Sequence, residues 1–143
     1  MKNFILRAAI ASAALLPLWA PAPGFAGPAP DVTVKALLAR DLNGRPGKEI
    51  RMLTVEYVAA GASLPHRHNA QVFVYVLEGA IRMQIQGQAP VSLSAGDTFY
   101  EGPDDVHALS QNASTTRPAR ILVFMIKDKA APVSIPVAGA HKP

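Results

Sequence analysis

The 143 residues carry 14 lysines and arginines against 10 acids, a formal charge of +4. That excess is slight and comes with no Lys/Arg cluster or aromatic-basic interleaving, so a nucleic-acid footprint is excluded. Cysteine is absent, which rules out disulfides, thiolate nucleophiles and thiolate metal ligands and leaves a packed core as the source of stability.

The length suits one domain, preceded by a segment of different character. Lys2 and Arg7 form a basic start, Ala8 to Ala20 an apolar middle, and Gly24-Phe25-Ala26 a small-residue exit after Pro21 and Pro23. This is the order of a secretory signal peptide, with cleavage expected after Ala26. The uninterrupted apolar stretch is shorter than the roughly 20 residues that span a bilayer. Residues 1–26 are therefore expected to be removed on export, giving a periplasmic or secreted protein of bacterial type with no stable membrane span. Loss of Lys2 and Arg7, with no acid, lowers the charge to +2 over the remaining 117 residues.

Residues 27–31, opening Gly27-Pro28-Ala29-Pro30, read as a flexible leader. Residues 32–127 then show short apolar runs separated by turn chemistry. Val32–Ala39 reads as a first strand, although Ala36-Leu37-Leu38 would also suit a helical turn, and turns follow at Asn43-Gly44 and Pro46-Gly47. Glu49–Val58 alternates, with Ile50, Leu53 and Val55 as expected core positions. Val72–Leu77 is rich in Val, Phe and Tyr, as strands are. Glu78-Gly79 turns into Ile81–Ile85, where Ile81, Met83 and Ile85 alternate with Arg82 and Gln84. Val91–Leu93, Thr98–Glu101, Val106–Ser110 and Ala119–Ile126 are further strands, and residues 128–143 form a tail with one edge strand at Val133–Ile135. Eight or nine short strands without helical periodicity predict an all-β sandwich or barrel. No stretch between strands is long enough for the crossover helices of a parallel sheet. Phe73, Tyr75, Phe99 and Tyr100 read mainly as core aromatics.

Two histidines two apart on an extended segment, His66 and His68, face the same side. With His107 brought beside them by a folded-back sheet, they offer three neutral imidazoles to a metal. His141, in the proline-bearing tail, reads as a solvated histidine. The blocks Gly61-(x4)-His66-Arg-His68-(x10)-Gly79 and Gly96-Asp-Thr-Phe-Tyr-Glu-Gly-Pro103-(x3)-His107-(x4)-Asn112 resemble the two motifs of the cupin superfamily. The resemblance covers about fifty residues and implies a double-stranded β-helix, a jelly-roll barrel, with a metal inside on His66, His68 and His107. The chain departs from the pattern where the family's motif has glutamate, since Val72 stands there. Pro103 is four residues before His107, and Asp105 replaces the usual intervening glycine.

Gln71 and Glu101 are the candidate proton-handling or orienting groups, and the oxygen ligands nearest to hand. Three imidazoles with open positions suit Fe, Mn, Zn, Ni, Co or Cu without choosing among them. The resemblance implies a dioxygenase-like enzyme acting on a small organic substrate. A non-catalytic module holding a metal, sugar or small acid is the alternative, and an empty barrel with a polar cavity is the third reading. By resemblance the expected assembly is a homodimer.

Overall fold

The computed structural model describes residues 31–138. The signal peptide, residues 27–30 of the leader, and His141 lie outside the described residues.

Ten strands and no helix form within them: β1 (Val32–Asp41), β2 (Lys48–Tyr57), β3 (His66–Arg67), β4 (Ala70–Glu78), β5 (Ala80–Ile85), β6 (Val91–Ser94), β7 (Thr98–Glu101), β8 (His107–Asn112), β9 (Ala119–Asp128) and β10 (Ile135–Pro136). They make two five-stranded sheets, in the orders β1-β2-β9-β4-β7 and β10-β3-β8-β5-β6. Every pairing is antiparallel. β10, two residues long, overlaps the edge strand expected at Val133–Ile135, whereas β3, also of two residues, is too short for propensity to reveal and takes the strand count to ten.

The core lies between the sheets and follows period 2 along each strand. Leu53, Val55 and Tyr57 face inward from β2; Ala70, Val72, Val74 and Val76 from β4; Ile121, Val123 and Met125 from β9; and Ile81 and Met83 from β5. This parity corrects two expectations. Ile50 has the opposite parity to Leu53 and is only half-buried, while Glu49 takes the inward position. Phe73, Tyr75 and Tyr100 are exposed on the outer face of the first sheet, because β4 commits its even positions to the core. Phe99 alone of the four aromatics packs against the core from a partly buried position.

β4 and β5 are joined at Gly79, whose φ of +75° suits glycine. A Cβ there would meet the Pro118 carbonyl oxygen at 2.8 Å, so any side chain is excluded sterically as well. At the far end of β2 and β9, Glu49 and Lys127 face one another in register. Lys127 Nζ donates to Glu49 Oε1 at 3.0 Å inside the protein, and Arg51 Nε donates to the same oxygen at 3.1 Å.

Candidate metal centre

His66 on β3 is the register partner of His107 on β8, which puts the two rings side by side across one antiparallel pairing. Their centroids are 5.2 Å apart, and His68 closes on His66 at 4.8 Å, edge to face. One ligating atom from each of His66, His68 and His107 falls within 4.8 Å of the others. Bonds near 2.1 Å to a shared ion put nitrogens about 3–4 Å apart, so only small ring movements separate this arrangement from a coordinated one.

The local backbone sets the tautomers. His66 Nδ1 donates to the Leu64 carbonyl at 2.7 Å, and His68 Nδ1 donates to the Val133 carbonyl at 2.6 Å. An Nδ1–H held this way leaves the Nε2 lone pair free to face a metal and limits how far the ring can turn. The Val133 contact shows that the tail is part of the site: β10 pairs with β3, placing Pro136 opposite His66.

His107 faces inward because β8 is bulged. Leu109 pairs with Gln84 but His107 pairs with Ile85, which leaves Ala108 as the extra residue. His107 and Ser110, three apart, would otherwise face opposite sides; the bulge turns both into the core beside Ile85 and Met83. Tyr57 on β2 and Ser110 on β8 share a hydrogen bond of 2.6 Å from one sheet to the other, and burial pushes the Tyr57 hydroxyl up to about 12, so it stays neutral.

Glu101 comes from the opposite sheet. It is 2 % exposed, with Oε1 3.1 Å from His107 Nδ1 and Oε2 3.8 Å from His68 Nε2. The 3.1 Å contact lies within ion-pair distance but lacks hydrogen-bond alignment: Glu101 Oε2 and both nitrogens of His107 are buried without a hydrogen-bond partner. Burial by itself raises the Glu101 carboxyl; contact with His107, then the charges of His68 and His66, outweigh it and hold the group below its usual range. Burial pushes His66 down to about 4, so its ring is neutral near pH 7, as a ligand must be. A buried carboxylate facing imidazoles and orphaned nitrogens is costly without a cation, and a divalent ion would take up one nitrogen of His107 and offset the Glu101 charge. The residues therefore fit a metal.

Gln71, the other candidate beside the rings, is placed elsewhere. It is exposed on the outer face of β4, the side opposite Val72, and does not line the cavity. The odd positions of that strand all face out. Asp105 accepts the Gly102 N–H at 2.7 Å and so belongs to the turn before β8. Tyr57, Ser63 and Ser110 are lining residues that the sequence reading left unassigned; for Tyr57 the signal was its even spacing with Leu53 and Val55. The rings and Glu101 stand in a cavity of about 520 Å³ between the sheets.

Two antiparallel sheets closed face to face, with imidazoles from one and a carboxylate from the other meeting inside, define a jelly-roll barrel built around an internal polar cluster. The chain belongs to the cupin family: the family's Cupin domain matches residues 53–125, just over half its length. Solved structures agree. An oxalate oxidase in complex with the substrate analogue glycolate is 22 % identical with a TM-score of 0.58, over 75 % of this chain and 55 % of its own. The DMSP lyase DddQ from Ruegeria pomeroyi is 17 % identical with a TM-score of 0.59, over 75 % and 52 %. The polyketide cyclase RemF from Streptomyces resistomycificus is 20 % identical with a TM-score of 0.56, over 75 % and 71 %. The matched part of this chain thus spans about half the length of the oxidase and the lyase, and at these identities the likeness is one of fold. No curated protein matches the sequence.

Proposed function

We propose that this cupin holds one divalent transition-metal ion on His66, His68 and His107, with the Glu101 carboxylate facing the ion, and presents it to a small organic ligand. The observation that carries this reading is the buried, unpartnered state of both His107 nitrogens and Glu101 Oε2 beside two rings whose tautomers are already fixed. Fe, Mn, Zn, Ni, Co and Cu all accept such donors. When bound, the ion supplies Lewis acidity and a point at which two reactants can be held together.

The protein's own groups do the rest. The Leu64 and Val133 carbonyls orient the rings, and Glu101 supplies a base within reach of a ligand at the rings. A base beside the metal favours an enzyme over a module that only binds. A metal-dependent, dioxygenase-like oxidation is the reaction class we propose, in keeping with an oxidase among the proteins of similar fold. We also propose export to the periplasm or beyond, from the N-terminal pattern, and a homodimer formed through the aromatic outer face of the first sheet. No helix among the described residues is long and apolar enough to cross a membrane.

Elemental analysis of purified protein tests the metal reading. Wild type is expected to carry close to one ion per chain, and His66→Ala and His107→Ala far less; a metal content untouched by either substitution contradicts it. Oxygen uptake by the iron-loaded protein with catechols, flavonols and small thiols then separates enzyme from binding module.

A further inference from the structure

The shape and lining of the cavity bear on what enters it. Four of its polar groups, His66, His68, His107 and Glu101, meet in one cluster. The remaining wall is mostly hydrocarbon, with Leu53, Val55, Val74, Met83, Ile121 and Val123 facing the space. No lysine or arginine is among the described residues that line it. Ser63 Oγ is buried and without a hydrogen-bond partner, so it offers a neutral donor or acceptor.

Charge and volume point the same way. A divalent ion facing Glu101 leaves one net positive charge, which a single ligand oxygen balances on losing its proton. A carboxylate further in would meet hydrocarbon, with no cation to offset its desolvation. A two-carbon diacid would also leave most of about 520 Å³ to be filled by water against apolar walls, a poor site for ordered water.

Resting on the metal reading above, we propose that the ligand is a neutral molecule with an apolar body and one or two adjacent oxygen donors at one end, of phenol, catechol or enol type, and not a small carboxylic acid. The oxygen donors go to the metal, the body lies against the valines, isoleucine and methionine, and Ser63 gives one further hydrogen bond.

Calorimetric titration of zinc-loaded protein without oxygen tests this, since zinc cannot oxidise a catechol. Four probes are compared: catechol, 4-tert-butylcatechol, 3,4-dihydroxybenzoate and oxalate. The tert-butyl compound is expected to bind about tenfold or more tightly than catechol, because its added hydrocarbon is buried. It is expected to exceed 3,4-dihydroxybenzoate, which has the same chelating oxygens plus a carboxylate, by at least as much, with oxalate weaker still. Equal or tighter binding of either acid, or no gain from the tert-butyl group, overturns the proposal. Zinc stoichiometry is measured first: protein that holds no zinc refutes the metal centre itself, whereas zinc-loaded protein that prefers the acids refutes only the ligand class.

Discussion

Val72 and Glu101 are register partners on β4 and β7, both buried and both facing the rings' cavity. Residues directly opposite on antiparallel strands have Cβ atoms about 5 Å apart. Glu101 thus brings a carboxylate into the cavity directly opposite Val72. Glu101→Gln keeps the shape and removes the charge, and is expected to weaken zinc binding by about 10- to 100-fold. Adding Val72→Glu in the same chain is expected to restore much of that loss. Competition with a coloured chelator reads both; unchanged affinity in Glu101→Gln would remove the carboxylate from the site.

A second prediction concerns acid stability. Hydrogen bonding from Lys127, with the charges of Lys127 and Arg51, holds the Glu49 carboxyl below its ordinary value despite burial. A folded value below the unfolded one means that the stabilisation is complete above about pH 4.5 and is lost as pH falls through the folded value. The urea midpoint of wild type should therefore drop more steeply below that pH than that of Glu49→Gln. At neutral pH the substitution is expected to cost about 3 kcal/mol, because it leaves Lys127 charged and buried. Parallel pH curves for the two proteins would contradict this.

Asn112 separates stability from metal binding. Its Nδ2 donates to the Val58 and Arg117 carbonyls at 2.9 and 2.7 Å, and its Oδ1 accepts the Ser114 N–H at 2.9 Å, tying the loop after β2 to the loop between β8 and β9. Asn112→Ala is expected to lose about 3 kcal/mol by denaturant unfolding. The protein that remains folded should bind zinc as wild type does.

Much of this arrangement was legible in the sequence, and the misreadings share a cause. The short strands and glycine turns were enough to indicate an all-β sandwich or barrel, and the resemblance of the two histidine blocks to the cupin motifs implied a jelly roll with His66, His68 and His107 inside. Sidedness was harder. Thr98–Glu101 is four residues long, so its period does not say whether Glu101 faces in, and only pairing with Val72 decides it. Hydrophobicity alone puts Phe73 and Tyr75 inward, yet the valines between them hold the inner face. The bulge at Ala108, on which the aim of His107 depends, carries no glycine or proline to mark it. The Val133 contact joins residues 65 apart in sequence, beyond the reach of any local pattern.

The exposed aromatics lead to the prediction on assembly. Phe73 and Tyr100 stack at 5.2 Å and remain 43 % and 51 % exposed, with Tyr75 and Leu77 beside them. A contiguous apolar face of this kind marks an interaction surface. Native mass measurement should find a dimer, and Phe73→Lys with Tyr100→Lys should give a monomer that still binds zinc. A wild type that is monomeric at tens of micromolar would contradict the dimer.

The convergence of three rings on one ion is tested most directly by an anomalous-difference map from a cobalt-loaded crystal. One peak is expected about 2.1 Å from Nε2 of His66, His68 and His107 alike, with Glu101 facing it. A map with no peak among the rings, or with cobalt held elsewhere on the surface, would contradict the account.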